Sequence, residues 1–236
     1  NMDEQEKEVY DEVMGNYNDP KRPLISFQFK GRAKRDAKIK HSETPYPLVI
    51  TSHGYTGSRL MFSYLTEQLA SQGYIVVSID HTDSTFRDAG PFVSTLLNRS
   101  LDDLFVLDAM DKLSKDSEAF LFNLLDANNT GIIGYSMGGY GALNVAGAGY
   151  SPQAVQLFKE FTRGRLDLEQ RMIGNPSFEA TFDSRIKAIV AMAPWGMENG
   201  LWDEEGLLGL KIPTFFVAGS MDDISGYDDG IKYIYE

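Results

Sequence analysis

The segment Gly134-Tyr135-Ser136-Met137-Gly138 constrains this chain more than any other. It sets one serine between two glycines, after the apolar run Gly131-Ile132-Ile133 and before the small-residue stretch Gly138-Gly139-Tyr140-Gly141-Ala142-Leu143. The apolar run reads as a buried strand, and the small residues after it open a helix. A strand that turns so abruptly into a helix leaves the serine in a strained backbone conformation with its oxygen exposed. A Cβ two residues to either side would collide across such a turn, which is why glycine is needed at both places. Ser136 is therefore expected to be a nucleophile; the alternative is an ordinary glycine-rich turn.

Elsewhere the chain alternates short apolar runs with helical patterns. Leu48-Val49-Ile50-Thr51, Ile75-Val76-Val77-Ser78-Ile79, Ala188-Ile189-Val190-Ala191-Met192 and Thr214-Phe215-Phe216-Val217-Ala218 read as buried strands. Ser58 to Ala70 reads as a helix with Phe62, Leu65 and Leu69 on one face. Leu101, Leu104 and Phe105 mark a second helix, and Phe120, Leu121, Leu124 and Leu125 a third. Continuous apolar strands separated by helices predict an α/β fold: a mostly parallel central sheet with helices on both faces. At 236 residues the chain suits one such domain, spanning 1–236.

Three segments stand apart from that alternation. Leu24 to Phe29 alternates apolar and polar residues and reads as a half-exposed early strand. The basic run Lys30, Arg32, Lys34, Arg35, Lys38 and Lys40 reads as a solvated hairpin edge. Residues 150–184 are polar and helical in pattern, with Phe158, Phe161, Leu166, Leu168 and Met172, and serve either as a surface crossover or as a small cap over the site.

Composition removes several classes of function. With 34 acidic against 22 basic residues the net charge is −12, which disfavours nucleic acid and anionic membrane as partners. No cysteine is present, so disulfides, thiolate catalysis and cysteine-bound zinc are excluded, and a cytoplasmic location is favoured over a secreted one. No run approaches the roughly twenty apolar residues of a membrane span. The acidic start, Asn1 to Glu8, lacks the basic end and apolar centre of a signal peptide. The residue ahead of Met2 resembles a tag remnant, which leaves a removed leader open.

A serine hydroxyl attacks only when a base takes its proton, and the base is held by a third group. In strand–serine–helix architectures the acid lies in a loop after a later strand. Gly219-Ser220-Met221-Asp222-Asp223, after the run ending at Ala218, supplies Asp222 or Asp223; the other aspartate would cap a solvated turn. The three histidines, His41, His53 and His81, all precede Ser136, so none stands where this order delivers a base. The expectation is that the sequence lacks its C-terminal strand, the loop bearing the catalytic histidine and the last helix. Two backbone N–H groups would stabilise an oxyanion, one from Met137 and one from Tyr55 in the loop Ser52-His53-Gly54-Tyr55-Thr56-Gly57. His53 reads as a structural hydrogen-bonding residue of that loop, and His81 as a loop-stabilising residue rather than a metal ligand. No metal or organic cofactor is called for.

Together these motifs resemble the α/β-hydrolases, within them the dienelactone-hydrolase-like group that includes platelet-activating-factor acetylhydrolases and cutinase-type polyester hydrolases. The resemblance runs from about Pro47 to the end. It is carried by His53-Gly54-Tyr55-Thr56, by Leu69 to Val77 followed by Asp80-His81, by Ser136-Met137-Gly138-Gly139 and by Ala193-Pro194-Trp195. It implies the α/β-hydrolase fold; the polyester hydrolases, which place their acid four residues after the strand-end glycine, point to Asp223, the dienelactone hydrolase spacing points to Asp222, and Asp223 is the expectation. It further implies that Tyr55 and Trp195 flank the acyl or aromatic part of an ester, although a tryptophan such as Trp195 is often simply core. Polyester hydrolases typically carry a disulfide and an open groove, whereas this chain has no cysteine and has the extra 150–184 stretch. The implied substrate is a smaller, partly enclosed carboxylic ester, cleaved through an acyl-serine intermediate. A thioesterase or peptidase would use the same residues, and a chain without the histidine would be a non-catalytic binding protein. Oligomeric state is not legible.

Overall fold

The computed structural model describes residues 31–85, 87–90, 92–164 and 168–236. The early strand expected over Leu24–Phe29, Lys30 and Leu166 lie outside the described residues. At the centre is a sheet of five strands: β1 (Tyr46–Ser52), β2 (Ile75–Ile79), β3 (Leu125–Tyr135), β4 (Ile186–Met192) and β5 (Thr214–Val217). Their order across the sheet is β2-β1-β3-β4-β5, and every neighbouring pair is parallel. Parallel neighbours need long crossovers, and the helices supply them.

Helix α1 (Ser63–Ser71) packs on β2, while α2 (Phe92–Lys115) and α3 (Met137–Val145) pack on β1, β3 and β4. Leu48, Ile50, Ile132, Ile189 and Ala191 of the sheet meet Leu96, Leu107, Tyr140 and Leu143 of α2 and α3 in one core. At the far edge, Phe215 and Val217 of β5 remain exposed at 65% and 44%. The register aligns the strand ends. Ser52 lies opposite Gly134, and Gly134 opposite Ala191, so the C-terminal ends of the three central strands are level.

Residues 150–184 form α4 (Pro152–Phe161), a single turn over Glu169–Arg171 and a short α5 (Pro176–Glu179). Ser151 caps α4 by accepting from the Ala154 N–H at 3.0 Å, with Pro152 opening the first turn. Ala154, Val155, Leu168 and Phe178 are buried, and the buried Arg171 donates to the Leu97 carbonyl of α2. Leu157 and Phe161 face outward.

Three expectations about local structure fail. Phe120–Leu125 is not a helix: turns through Leu124 lead into β3, with Leu121 entering the core from the turns and Leu125 from the first position of β3. The first helix begins at Ser63 rather than Ser58, because the Ser58 hydroxyl accepts from the Leu60 N–H (3.3 Å) and Arg59 is tied to Asp80 instead. The basic run is solvated, but residues 31–40 hold only a turn at Arg35–Asp36 and no strand.

Candidate active site

β3 ends at Tyr135, and the next residue breaks the strand. Ser136 has φ 52° and ψ −115°, a left-handed conformation that costs of order 1–3 kcal/mol for a residue with a Cβ. Its backbone is held from both sides. The Ser136 N–H donates to Met192 O (2.9 Å), and Ser136 O accepts from Tyr140 N (2.9 Å) and Trp195 N (3.2 Å). The flanking glycines are sterically required. A Cβ at Gly134 would lie 2.1 Å from Gly138 O, and one at Gly138 would lie 2.0 Å from Ser52 O. Met137 opens α3 and is buried.

The Ser52–Gly57 loop leaves β1 beside this turn. A Cβ at Gly54 would meet the Ser136 Cβ at 3.3 Å, so the loop passes directly against the serine. No carbonyl among the described residues accepts from the N–H of Tyr55 or of Met137. Two unengaged amides next to a partly exposed serine are what an oxyanion would require.

An aromatic row stands next to the loop. The half-buried Tyr55 meets Phe92 edge-on at 5.1 Å, Phe92 meets Trp195 at 5.1 Å, and Trp195 meets Tyr140 at 6.2 Å. The Tyr55 hydroxyl donates to Gly90 O at 3.1 Å, fixing the ring. Phe92 joins the two aromatics singled out from the sequence, yet sequence reasoning missed it. The available signal was an aromatic directly after Gly90-Pro91, a natural helix start.

The acid loop follows β5. Asp222 is occupied in closing its own turn, its Oδ1 accepting from Ile224 N and Ser225 N at 3.0 Å each. Asp223 is exposed and its carboxylate accepts no hydrogen bond among the described residues. Both line a depression of about 330 Å³ with Glu198, Asp228 and Asp229. Glu198, which sequence reasoning did not single out, ties the loop after β4 to this one: its Cβ would be 3.1 Å from a Cβ at Gly226. Burial, with Asp229 and Asp222 nearby, holds its carboxyl above the usual range. The structure thus joins Ser136, Met137, Gly54 and Trp195 by direct contact, while Asp222 and Asp223 stand on the same edge of the sheet with no hydrogen bond to them.

Neither nearby histidine is exposed. His53 is 1% accessible, with Nδ1 donating to Gly54 O (2.6 Å) and Nε2 accepting the His81 N–H (3.2 Å). Burial, and then the Arg99 guanidinium, pulls its pKa down to about 3, so the ring is neutral. His81, also 1% accessible, bonds Asp102 Oδ2 through Nδ1 (2.8 Å) and Ser52 Oγ through Nε2 (2.7 Å). Burial keeps it neutral as well. Ser52–His81–Asp102 repeats the connectivity of a Ser–His–Asp triad, but Ser52 is wholly buried, so no substrate can reach it. His41 lies in the exposed segment ahead of β1. No cluster of His, Asp or Glu suited to a metal ion occurs among the described residues, and none of their helices is long and apolar enough to cross a membrane.

Comparison with known proteins finds likenesses among acetylhydrolases and cutinases. The family model of platelet-activating factor acetylhydrolase, isoform II, matches residues 24–93. Cutinase est2 of Thermobifida alba is 33% identical over 76% of this chain and 43% of its own length. Cutinase est1 of the same organism is 26% identical over 76% of this chain and 44% of its own. A platelet-activating factor acetylhydrolase from Gallus gallus is 38% identical over 53 residues, which is 22% of this chain and 12% of that protein. The chain therefore spans less than half the length of these cutinases.

Proposed function

We propose, for a chain that belongs to the α/β-hydrolase superfamily and resembles its acetylhydrolases and cutinases, that the protein is a serine carboxylester hydrolase. The observation that carries this reading is the backbone of Ser136, strained between two sterically required glycines with the Tyr55 loop against its Cβ. Such strain persists only where the surroundings over-determine it, and here it presents a hydroxyl beside unengaged amides.

In this reading Ser136 Oγ attacks the ester carbonyl and its proton passes to a base. The Tyr55 and Met137 N–H groups take the developing oxyanion. The alcohol leaves with the proton, giving an acyl-serine, which water hydrolyses by the same route. Asp223 orients the base, since Asp222 is committed to its turn. The base itself is neither His53 nor His81, both buried and fully engaged. Tyr55, Phe92 and Trp195 hold the acyl or aromatic part of the ester, in keeping with a small-molecule substrate. Residues 150–184, rooted on α2 through Arg171, act as a crossover with an outward apolar ridge at Leu157 and Phe161.

The test is a fluorophosphonate probe on the natural full-length protein. Labelling is expected on Ser136 and absent in Ser136→Ala, with hydrolysis of p-nitrophenyl butyrate lost in parallel. A folded full-length protein that takes no label would sink the enzymatic reading in favour of a binding protein.

A further inference from the structure

Helix α2 turns a charged face inward. Arg99, Ser100 and Asp103 are buried, while Leu101 and Phe105 on the same turns are 45% and 73% exposed. Burying a guanidinium costs several kcal/mol unless its donors find partners, so the partners show what the residue holds. Arg99 Nη1 donates to His53 O, and Nη2 to Gly54 O (3.3 Å) and to Ser84 Oγ. Two successive carbonyls of the loop that carries Tyr55 are therefore gripped by one side chain.

Peptide planarity turns that grip into a constraint on the site. Gly54 C=O and the Tyr55 N–H belong to one plane and point in opposite directions. Gly54 O also accepts from Gly57 N (3.0 Å) and from His53 Nδ1 (2.6 Å). With its oxygen held toward Arg99, this plane cannot rotate, and the Tyr55 N–H must face the other way. Ser52, at the start of the loop, is tied in turn through His81 to Asp102 of α2.

We infer that Arg99 is a positioning residue for the proposed ester hydrolysis, holding the His53 and Gly54 carbonyls so that the Tyr55 amide is aimed in advance at the oxyanion. It touches no reacting atom. Its contribution is to remove loop reorganisation from the barrier, the form in which oxyanion donors are most effective. Asp103, wholly buried with no hydrogen bond to either carboxylate oxygen among the described residues, lies within electrostatic reach of Arg99, and burial holds its carboxyl well above the usual range. Burial draws the Arg99 pKa down to about 10, which leaves it cationic at neutral pH.

The inference rests on the serine hydrolase reading, and its test separates the two. In the full-length protein, Arg99→Lys keeps the charge but not the fork that spans two carbonyls, and Arg99→Met loses both. Removing one oxyanion donor costs about 10²–10³ in kcat. Arg99→Met is expected to approach that loss and Arg99→Lys to show about a tenth of it, with KM within about threefold. Affinity for a trifluoromethyl ketone, which mimics the tetrahedral oxyanion, should weaken in step with kcat/KM. A merely structural cation would lower the melting temperature and leave kcat and analogue affinity of the folded fraction unchanged, and that pattern in Arg99→Lys overturns the inference even if Arg99→Met does not fold. A wild type that takes no fluorophosphonate at Ser136 overturns both readings; a labelled wild type with an unimpaired Arg99→Lys overturns this one alone.

Discussion

Replacing Gly138 with alanine puts the geometry of the elbow to a numerical test. A methyl group there would stand 2.0 Å from Ser52 O, 2.6 Å from Ser52 C and 2.9 Å from Ser52 Oγ. Ordinary contact begins at 3.4 Å, which leaves about 1.4 Å to be made up by moving α3 away from β1. Both sides are backbone, and Ser52 is locked opposite Gly134 in the sheet, so no flexible side-chain end can yield. Overpacking costs about 1–3 kcal/mol, and the upper end applies where backbone meets backbone. For a domain of this size about 3 kcal/mol lowers the melting temperature by roughly 6–12 °C. Shifting the serine by about 1 Å against its amides should slow acylation about 10²-fold. Two other glycines calibrate the scale. Gly139→Ala, 3.0 Å from Pro194 Cα, should be intermediate, and Gly131→Ala, 3.6 Å from Ala188 O, should behave like wild type. The assay is thermal unfolding by circular dichroism together with the fluorophosphonate labelling rate. If Gly138→Ala matched wild type in both, or Gly131→Ala proved as damaging, the steric account of the elbow would be refuted.

The other loops yield outcomes of their own. Asp223→Asn should lower kcat by about 10⁴ with an unchanged melting temperature, whereas Asp222→Ala should cost about 1 kcal/mol of stability and little activity; the reverse pattern would exchange their roles. The His53 pKa falls from 6.5 unfolded to about 3 folded, so below pH 6.5 the unfolded chain binds more protons than the native one. Stability present above pH 6.5 is therefore lost as the pH falls toward 3, by about 1.4 kcal/mol per unit for this group. Denaturant melts at pH 7 and pH 5 should show that a His53→Asn variant loses about 2 kcal/mol less than wild type over this interval, and equal losses would contradict the assignment. Phe92→Ala should raise KM for aryl and longer acyl esters several-fold while leaving kcat for acetate within about threefold, and an unchanged KM across the series would remove Phe92 from the binding surface.

The parts of the fold that the sequence revealed are those where one physical signal dominates. Continuous apolar runs marked β1, β2, β4 and β5, as expected of parallel strands covered by helices, although Phe215 and Val217 of the edge strand β5 stay exposed. Gly134, Ser136 and Gly138 were legible because a turn that sharp admits few residues. The errors arose where side-chain type and burial part company. Phe120, Leu121, Leu124 and Leu125 have helical spacing, yet only Leu121 and Leu125 are buried, one reaching the core from a turn and the other from the start of β3. Leu101 and Phe105 marked the helix α2 but lie on its outer side, while Arg99, Ser100 and Asp103 face inward. No periodicity of apolar residues could disclose that face, because Arg99 answers to carbonyls in a loop some 45 residues earlier. The same holds for Phe92, whose partners Tyr55 and Trp195 come from two distant loops.

The level register of β1, β3 and β4 has a bearing on how such a protein can diversify. Ser136, the proposed nucleophile, and the amides beside it hang from strand ends locked to one another residue by residue, with Ser52, Gly134 and Ala191 abreast. Tyr55, Phe92 and Trp195, which would meet the substrate, instead occupy the connections that leave those ends. Selection can therefore redraw the shape and chemistry of the cleft, lengthening one connection or exchanging one ring, while the reactive geometry is inherited intact. Under the proposed function, substrate preference becomes the changeable trait of the molecule, and the attacking group its fixed one.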